Sequence, residues 1–329
     1  MKLEHLALVG LGSIGRRHLR LIRELRPDLE ITLVRSGKGQ SWPEEKLAHS
    51  SVSSIPEAIQ SGIQAAIISS PSPFHTQQSL QLAQAGVHQL IEKPLSHETK
   101  GLVELEESLL QHNVKVLIGY VLRHDPAARC FKKELDQGRV GTLLHVKIEC
   151  GSYLPDWRHE QDYRQTASAK RELGGGVLLE LSHELDYVRW FFGTVSNVQA
   201  LLINSGSLDI EVEDCAELTL ENEAGLPVQV HLDFHRRHPI RTCKIQGTEG
   251  ELCWDAISQE ISFKSIGGEF ESRSFLIARD KLFSMQLCHF LDCLEEGCPP
   301  VVSFEDGVAA VRLVEAARNS HKTGQRINL

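Results

Sequence analysis

Six residues near the start constrain this chain more than any others: Gly10-Leu11-Gly12-Ser13-Ile14-Gly15. They follow an apolar run, Leu6 to Gly10, that reads as a strand, and they lead into Arg16 to Glu24, which reads as a helix. In a strand-turn-helix unit the three glycines have separate tasks. One makes the tight turn, one lets backbone approach a pyrophosphate, and one lets helix and strand pack closely. The amide groups at the helix N-terminus attract the phosphates. Gly10, Gly12, Ser13, Ile14 and Gly15 are therefore expected to hold a dinucleotide, the plainer alternative being a Gly-rich turn of structural use only.

Such a unit does not stand alone. Short apolar runs at Ile31 to Val34, Ala65 to Ser69, Gln89 to Ile91 and Lys115 to Ile118 alternate with helical stretches, the pattern of a parallel, doubly wound sheet. After Asp125 the pattern changes to a helix over Cys130 to Gln137, a Gly-bounded strand and a loop rich in Trp, Tyr and Arg. Runs with period-two alternation follow at Ala216 to Leu220, Val228 to Phe234 and Lys244 to Ile245, which point to an antiparallel sheet. The fold class is α/β: a dinucleotide-binding domain over 1–122, then a second α/β domain over 123–329 with a large, mainly antiparallel open sheet. A capping box at Ser303-Phe-Glu-Asp and a stop at Gly324 mark a terminal helix, 304–322, that can pack back on the first domain.

The end of the second strand bears on which dinucleotide is bound. An acidic residue there would bond the ribose 2′-hydroxyl of NAD. The chain instead reads Val34-Arg35-Ser36-Gly37-Lys38, with two cations and a hydroxyl where a 2′-phosphate would lie. NADP(H) is favoured, with NAD(H) as the alternative.

A formal charge of −9 argues against nucleic acid as a partner, because phosphate backbones are held by clustered Lys and Arg. No run of about 20 apolar residues suggests a membrane span, and the N-terminus lacks the long apolar stretch of a signal peptide. The chain thus reads as cytoplasmic and off the membrane. Its eight cysteines include no CxxC pair, and Cys288, Cys293 and Cys298 would be spread around a helix. His231, Asp233 and His235 alternate along a strand and imitate a metal constellation, but Leu232 and Phe234 between them suit an ordinary half-buried strand. No metal is expected.

Further motifs stand in order along the chain: Ser69-Ser70-Pro71 with His75, Ala85-Gly86-Val-His88, and Glu92-Lys93-Pro94. Gly119-Tyr120 with Arg123 and Pro126, Gly138-Arg-Val-Gly141, Gly174-Gly-Gly176 through His183 to Asp186, and Gly247-Thr-Glu-Gly250 follow. In this order they resemble the glucose-fructose oxidoreductase and inositol dehydrogenase family over essentially the whole length. The resemblance implies a Rossmann domain and a C-terminal domain whose open sheet serves oligomerisation, so a homodimer or homotetramer is expected. It also implies a sugar-like small-molecule substrate. Ser70, Pro71, His75, Glu92 and Lys93 are then expected at the cofactor, and Tyr120, Arg123, Trp157, Arg158, Tyr163, Arg164 and Asp186 at the substrate.

Within that family the lysine of Glu-Lys-Pro reaches the reacting oxygen and the central-helix histidine moves a proton, which implies those roles for Lys93 and His183. The residue types suit the chemistry. An imidazole titrates near neutrality, and an ammonium stabilises a developing alkoxide. If 177–192 is one helix, Glu180 and Asp186 sit about 60° to either side of His183 and either could orient it. The usual family pattern places an aspartate four residues before the histidine, whereas Glu180 stands only three before; it is carried over as the third catalytic residue. Cations and aromatics in the Tyr153 to Arg164 loop suit a polyhydroxylated ring, with a carboxylate or phosphate held by Arg158 or Arg164. Two other readings stay open: glycoside cleavage or epimerisation with a retained cofactor, and a dinucleotide-responsive binding protein without catalysis.

Overall fold

The computed structural model describes residues 2–37, 39–158 and 161–329. In chain order its regular elements are β1 (His5–Val9), α1 (Ser13–Leu25), β2 (Glu30–Val34), β3 (Ser50–Val52), α2 (Ile55–Gln60), β4 (Ala65–Ile68), α3 (His75–Gln84), β5 (His88–Ile91), α4 (Leu102–Gln111) and β6 (Val116–Ile118). Then come α5 (Pro126–Asp136), β7 (Leu143–Gly151), α6 (Val177–Glu180), α7 (His183–Phe192), β8 (Val195–Ile203), β9 (Cys215–Asn222), β10 (Pro227–Asp233) and β11 (Ile240–Gly247). The chain closes with β12 (Gly250–Asp255), β13 (Glu260–Ser265), β14 (Phe270–Ser274), α8 (Arg279–Glu295), α9 (Phe304–Thr323) and β15 (Ile327–Asn328).

Two compact units result, one of residues through Val121 with Ala278–Val308, the other of Leu122–Ile277 with Ala309–Leu329. The stretch from Ala278 to Val308, expected in the second domain, lies with the first. Its helix α8 packs on α1: Arg17 pairs with Asp280 at 2.9 Å, and Glu295 accepts from Arg26 and from the Leu3 amide, each at 2.9 Å. The division falls inside α9. Its start is fixed by the expected capping box, Asp306 Oδ2 accepting from Ser303 N at 2.9 Å and Ser303 Oγ from Asp306 N at 3.1 Å.

The first unit holds a six-stranded parallel sheet in the order β3-β2-β1-β4-β5-β6. Apart from the edge strand β3, its strands are buried on both faces, Leu6, Ile31, Ile67 and Leu90 being fully enclosed, which is why they read as unbroken apolar runs. The second unit holds a nine-stranded sheet in the order β14-β13-β12-β11-β7-β10-β9-β8-β15, antiparallel apart from the central β7–β10 pair. Here period-two alternation turns Ala216, Leu218 and Leu220 of β9 and Val228, Val230 and Leu232 of β10 into the core. Trp254 anchors that core, with the rings of Tyr187, Phe191 and Phe131 centred 5.3, 5.9 and 6.3 Å away. No described helix is long and apolar enough to cross a membrane.

Candidate functional site

β1 delivers the chain to the glycine loop at the switch point of the parallel sheet, between β1 and β4, where such folds bind ligands. Gly10 turns there at φ +87°, and a Cβ on Gly15 would fall inside 3.0 Å of Gly10 O and Ser69 Oγ. Only glycine permits that approach. A Cβ on Gly12, by contrast, would meet nothing within 4 Å, so the loop tip faces open space. Gly12 is the N-cap of α1 and offers no side-chain cap, and the first turn carries no acidic residue. The first-turn amides of Ser13, Ile14 and Gly15 are thus a donor-rich, uncovered helix N-terminus, the environment a dinucleotide pyrophosphate fits.

At the end of β2, Arg35 pairs with Glu45 and donates to Gln40 O at 2.6 Å. Ser36 follows it, and Lys38 lies outside the described residues. The loop beyond holds Trp42 under the guanidinium of Arg16 at 3.7 Å, with Arg16 also 3.8 Å from Glu44. Sequence reasoning missed this stack, whose one signal is an arginine directly after the third glycine.

The next strand ends bring together the rest of the first unit's candidates. β4 leads to Ser69, Ser70 and Pro71, and β5 to Glu92 and the Lys93-Pro94 peptide, which is cis. Ser69 Oγ lies 3.0 and 2.9 Å from the carbonyls of Val9 and Gly10, and Ser70 Oγ donates to Gln78 at 2.6 Å. His75, expected at the cofactor, is instead enclosed between backbone carbonyls, Nε2 2.7 Å from Ser70 O and Nδ1 3.0 Å from Pro94 O. Burial holds its pKa below the ordinary imidazole value. It joins two loops rather than facing a ligand. Glu92 is likewise buried; it accepts from the Lys93 amide at 3.2 Å and meets His18 Nε2 at 2.6 Å. Tyr120, expected at the substrate, is fully buried and serves packing.

In the second unit, the backbone of Gly175 lies so close to Ala167 and Ser168 that any side chain would collide with their carbonyls. The expected single helix over 177–192 is broken: α6 ends at Glu180, Leu181 and Ser182 intervene, and α7 begins at His183. The even placement of two carboxylates about His183 therefore does not arise. Glu180 accepts from Ser168 Oγ at 3.1 Å. Asp186 instead receives Arg123 in a buried two-pronged pair, with Nη2 at 2.7 Å and Nε at 3.0 Å. Arg123 and Asp186 satisfy each other, which suits a structural brace better than the expected substrate contact. Glu184, next to His183, is fully buried and pairs with Arg241 at 2.9 Å.

Of the loop candidates, Trp157 donates to Ser152 Oγ at 2.8 Å, and Tyr163 donates its hydroxyl to Leu208 O at 2.9 Å. Arg164 is neutralised by Asp162 at 2.9 Å and lies 3.5 Å from Asp209. Arg158 has no carboxylate within ion-pair reach among the described residues. On the outer face of the sheet, His231 lies between Glu217 at 2.6 Å and Asp233 at 3.0 Å. Potential ligand atoms of Cys215, Glu217 and His231 lie within 4.8 Å of one another. β10 ends at Asp233, so His235 leaves the strand and turns to Asp214 at 3.2 Å.

A parallel sheet with a glycine loop at its switch point, followed by an α/β domain with a large mixed sheet, defines a two-domain dinucleotide-dependent oxidoreductase. Residues 5–120 match the family model described as "Oxidoreductase family, NAD-binding Rossmann fold", and residues 132–329 match "Oxidoreductase family, C-terminal alpha/beta domain". The chain belongs to this Gfo/Idh/MocA oxidoreductase family. Among its relatives, scyllo-inositol 2-dehydrogenase (NAD(+)) of Bacillus subtilis is 25% identical across 98% of this chain and 95% of its own. 1,5-Anhydro-D-fructose reductase of Ensifer adhaerens is 24% identical across 88% of this chain and 86% of its own. The solved structure of a levoglucosan dehydrogenase with NADH and levoglucosan superposes with a TM-score of 0.88 over 99% of each chain at 18% identity, which shows the shared fold.

Proposed function

We propose that this protein transfers a hydride between a nicotinamide cofactor and a hydroxyl-bearing or carbonyl carbon of a sugar, inositol or sugar derivative. The observation that carries the reading is the position of Lys93. It leaves the C-terminal end of β5 directly after Glu92, whose other carboxylate oxygen is tied to the helix that begins at the glycine loop. The relatives that act on inositol and anhydro-fructose support the substrate class.

A bound nicotinamide supplies the hydride acceptor or donor. The glycine loop holds phosphates through the first-turn amides of α1. Lys93 stabilises charge on the substrate oxygen, and His183 takes or returns the hydroxyl proton. Glu180, anchored on Ser168, is the carboxylate assigned to support His183. Arg35 and Ser36, with no acidic residue between β2 and Gly37, favour NADP(H), with NAD(H) as the alternative.

Absorbance at 340 nm with either cofactor and a panel of polyols and keto-sugars tests this. Turnover should fall at least about a hundredfold in Lys93→Ala and in His183→Ala. Strong turnover in both variants would refute the assignment, and turnover without added cofactor would favour the retained-cofactor chemistry.

The outer face of the nine-stranded sheet is the proposed contact for a homodimer or homotetramer. It exposes Leu201 and Ile203 beside a groove of about 470 Å³ that includes Gln199, Glu217 and His231. Sedimentation of the wild type against Leu201→Glu checks this, a monomeric wild type being the contrary result.

A further inference from the structure

Three segments meet at one end of the nine-stranded sheet. β7 leaves at Gly151 into the loop with Tyr153, Trp157 and Arg158, β10 leaves at Asp233 into His235-Arg236-Arg237-His238, and β11 enters at Ile240, paired with Gly151. The two loops are fastened together. Ser152 N donates to Asp233 O at 3.3 Å, Leu154 N donates to Phe234 O at 3.0 Å, and Trp157 stands edge-on to Phe234 at 5.3 Å. His183 belongs to the same end, because its neighbour Glu184 holds Arg241, the second residue of β11.

Most guanidinium groups around this end are already neutralised. Arg236 pairs with Asp233 at 3.2 Å and lies 3.9 Å from Glu149; Arg241 pairs with Glu184, and Arg164 with Asp162. Arg237 differs. It is exposed, no carboxylate among the described residues lies within ion-pair reach of it, and its Cζ rests 3.3 Å above the centre of the Tyr153 ring. A guanidinium stacked on an aromatic face keeps its in-plane N–H groups available for bonding, a fork matched to carboxylate or phosphate. Arg158, four residues after Leu154 in the loop that leaves β7, adds a further cation with no described acidic partner.

We propose that Arg237, held on Tyr153, is a specificity residue that recognises an anionic substituent, carboxylate or phosphate, on the sugar-like substrate. The enzyme then selects acidic over neutral sugars. This rests on reading the His183 end of the second unit as the reacting end.

The test compares kcat/KM for D-glucuronate, D-glucose 6-phosphate and D-glucose in the full-length wild type, Arg237→Gln and Arg237→Lys. NADH binding by fluorescence confirms that each variant is folded. The wild type should prefer at least one acid over glucose. That ratio should fall at least about tenfold in Arg237→Gln and be partly kept in Arg237→Lys, which retains charge without the fork. The two acids separate carboxylate from phosphate recognition. Preference for glucose over both acids, or an equal loss on all three sugars in Arg237→Gln, would overturn the proposal. If no sugar is turned over, the functional reading fails on its own, and calorimetry of the three sugars with NADH-loaded protein decides the anion question. Acid binding that is lost in Arg237→Gln sustains the proposal, and absence of any difference between acids and glucose overturns it.

Discussion

His18 Nε2 lies 2.6 Å from Glu92 Oε1, and so joins the helix that follows the glycine loop to the residue before Lys93. Both side chains are buried, and His18 Nδ1 has no hydrogen-bond partner among the described residues, so this single bond carries the polar anchoring of the ring. Removing the imidazole leaves the enclosed Glu92 side chain with the Lys93 amide on Oε2 and takes away the partner of Oε1. His18→Ala should therefore lose on the order of 3 kcal/mol in urea unfolding. The loss in His18→Ala/Glu92→Gln should be smaller than the sum of the single losses, because both single changes break the same bond. Additive losses would show that the pair is not coupled.

The glycine loop separates folding from binding. Gly15→Ala forces a methyl group against Gly10 O and Ser69 Oγ and should lower the melting temperature of the protein without cofactor. Gly12→Ala meets no protein atom within 4 Å, so it should melt as the wild type does yet bind NADH at least about tenfold more weakly, the methyl filling space left for a phosphate. Unchanged NADH affinity in Gly12→Ala would place the dinucleotide elsewhere.

Much of this architecture is legible in the residues, for reasons that also explain the gaps. Strands β1, β2, β4, β5 and β6 stand out because burial on both faces demands unbroken apolar runs. Strand β3, Ser50-Ser51-Val52, does not, because it is an edge strand held by its neighbour; Thr32 Oγ1 meets Ser50 Oγ at 2.8 Å. The glycine loop follows from a local motif, whereas Lys93 and His183 stand out only through the resemblance of the ordered motifs to the family. Pairings between distant segments do not: nothing local says that Arg123 belongs to Asp186, or that His75 is enclosed between Ser70 and Pro94. The break at Leu181–Ser182 is equally hidden, since both residues fit a continuous helix.

Cofactor choice should respond to Glu45. This half-buried carboxylate accepts from the Trp42 amide at 2.8 Å and pairs with Arg35; the amide first, and Arg35 with it, hold its pKa below the ordinary value. It therefore stays ionised at neutral pH and competes for the cation expected to meet a 2′-phosphate. Glu45→Gln should raise the NADP(H) to NAD(H) ratio of kcat/KM, and Arg35→Ala should lower it by about tenfold. A ratio unmoved by Arg35→Ala would remove Arg35 from cofactor selection.

His231 makes stability depend on pH with a defined sign. Its hydrogen bond to Asp233, joined by that to Glu217, outweighs partial burial and raises its pKa above the ordinary 6.5. A histidine raised on folding contributes stability that is fully present below the unfolded value, near 6.5, and is lost as pH climbs through the higher folded value. Asp233 does not oppose this in the same range. Burial acts against its ionisation, but His231 and the amides of His235 and Arg236 bring its pKa below the ordinary value, so it remains charged well below neutrality. Replacing His231 by Gln keeps bulk and removes the titration. The gap in urea midpoint between wild type and His231→Gln should be widest near pH 5.5 to 6 and narrow toward pH 8 to 9. A gap that widens with rising pH would show that the imidazole is held neutral between the two carboxylates.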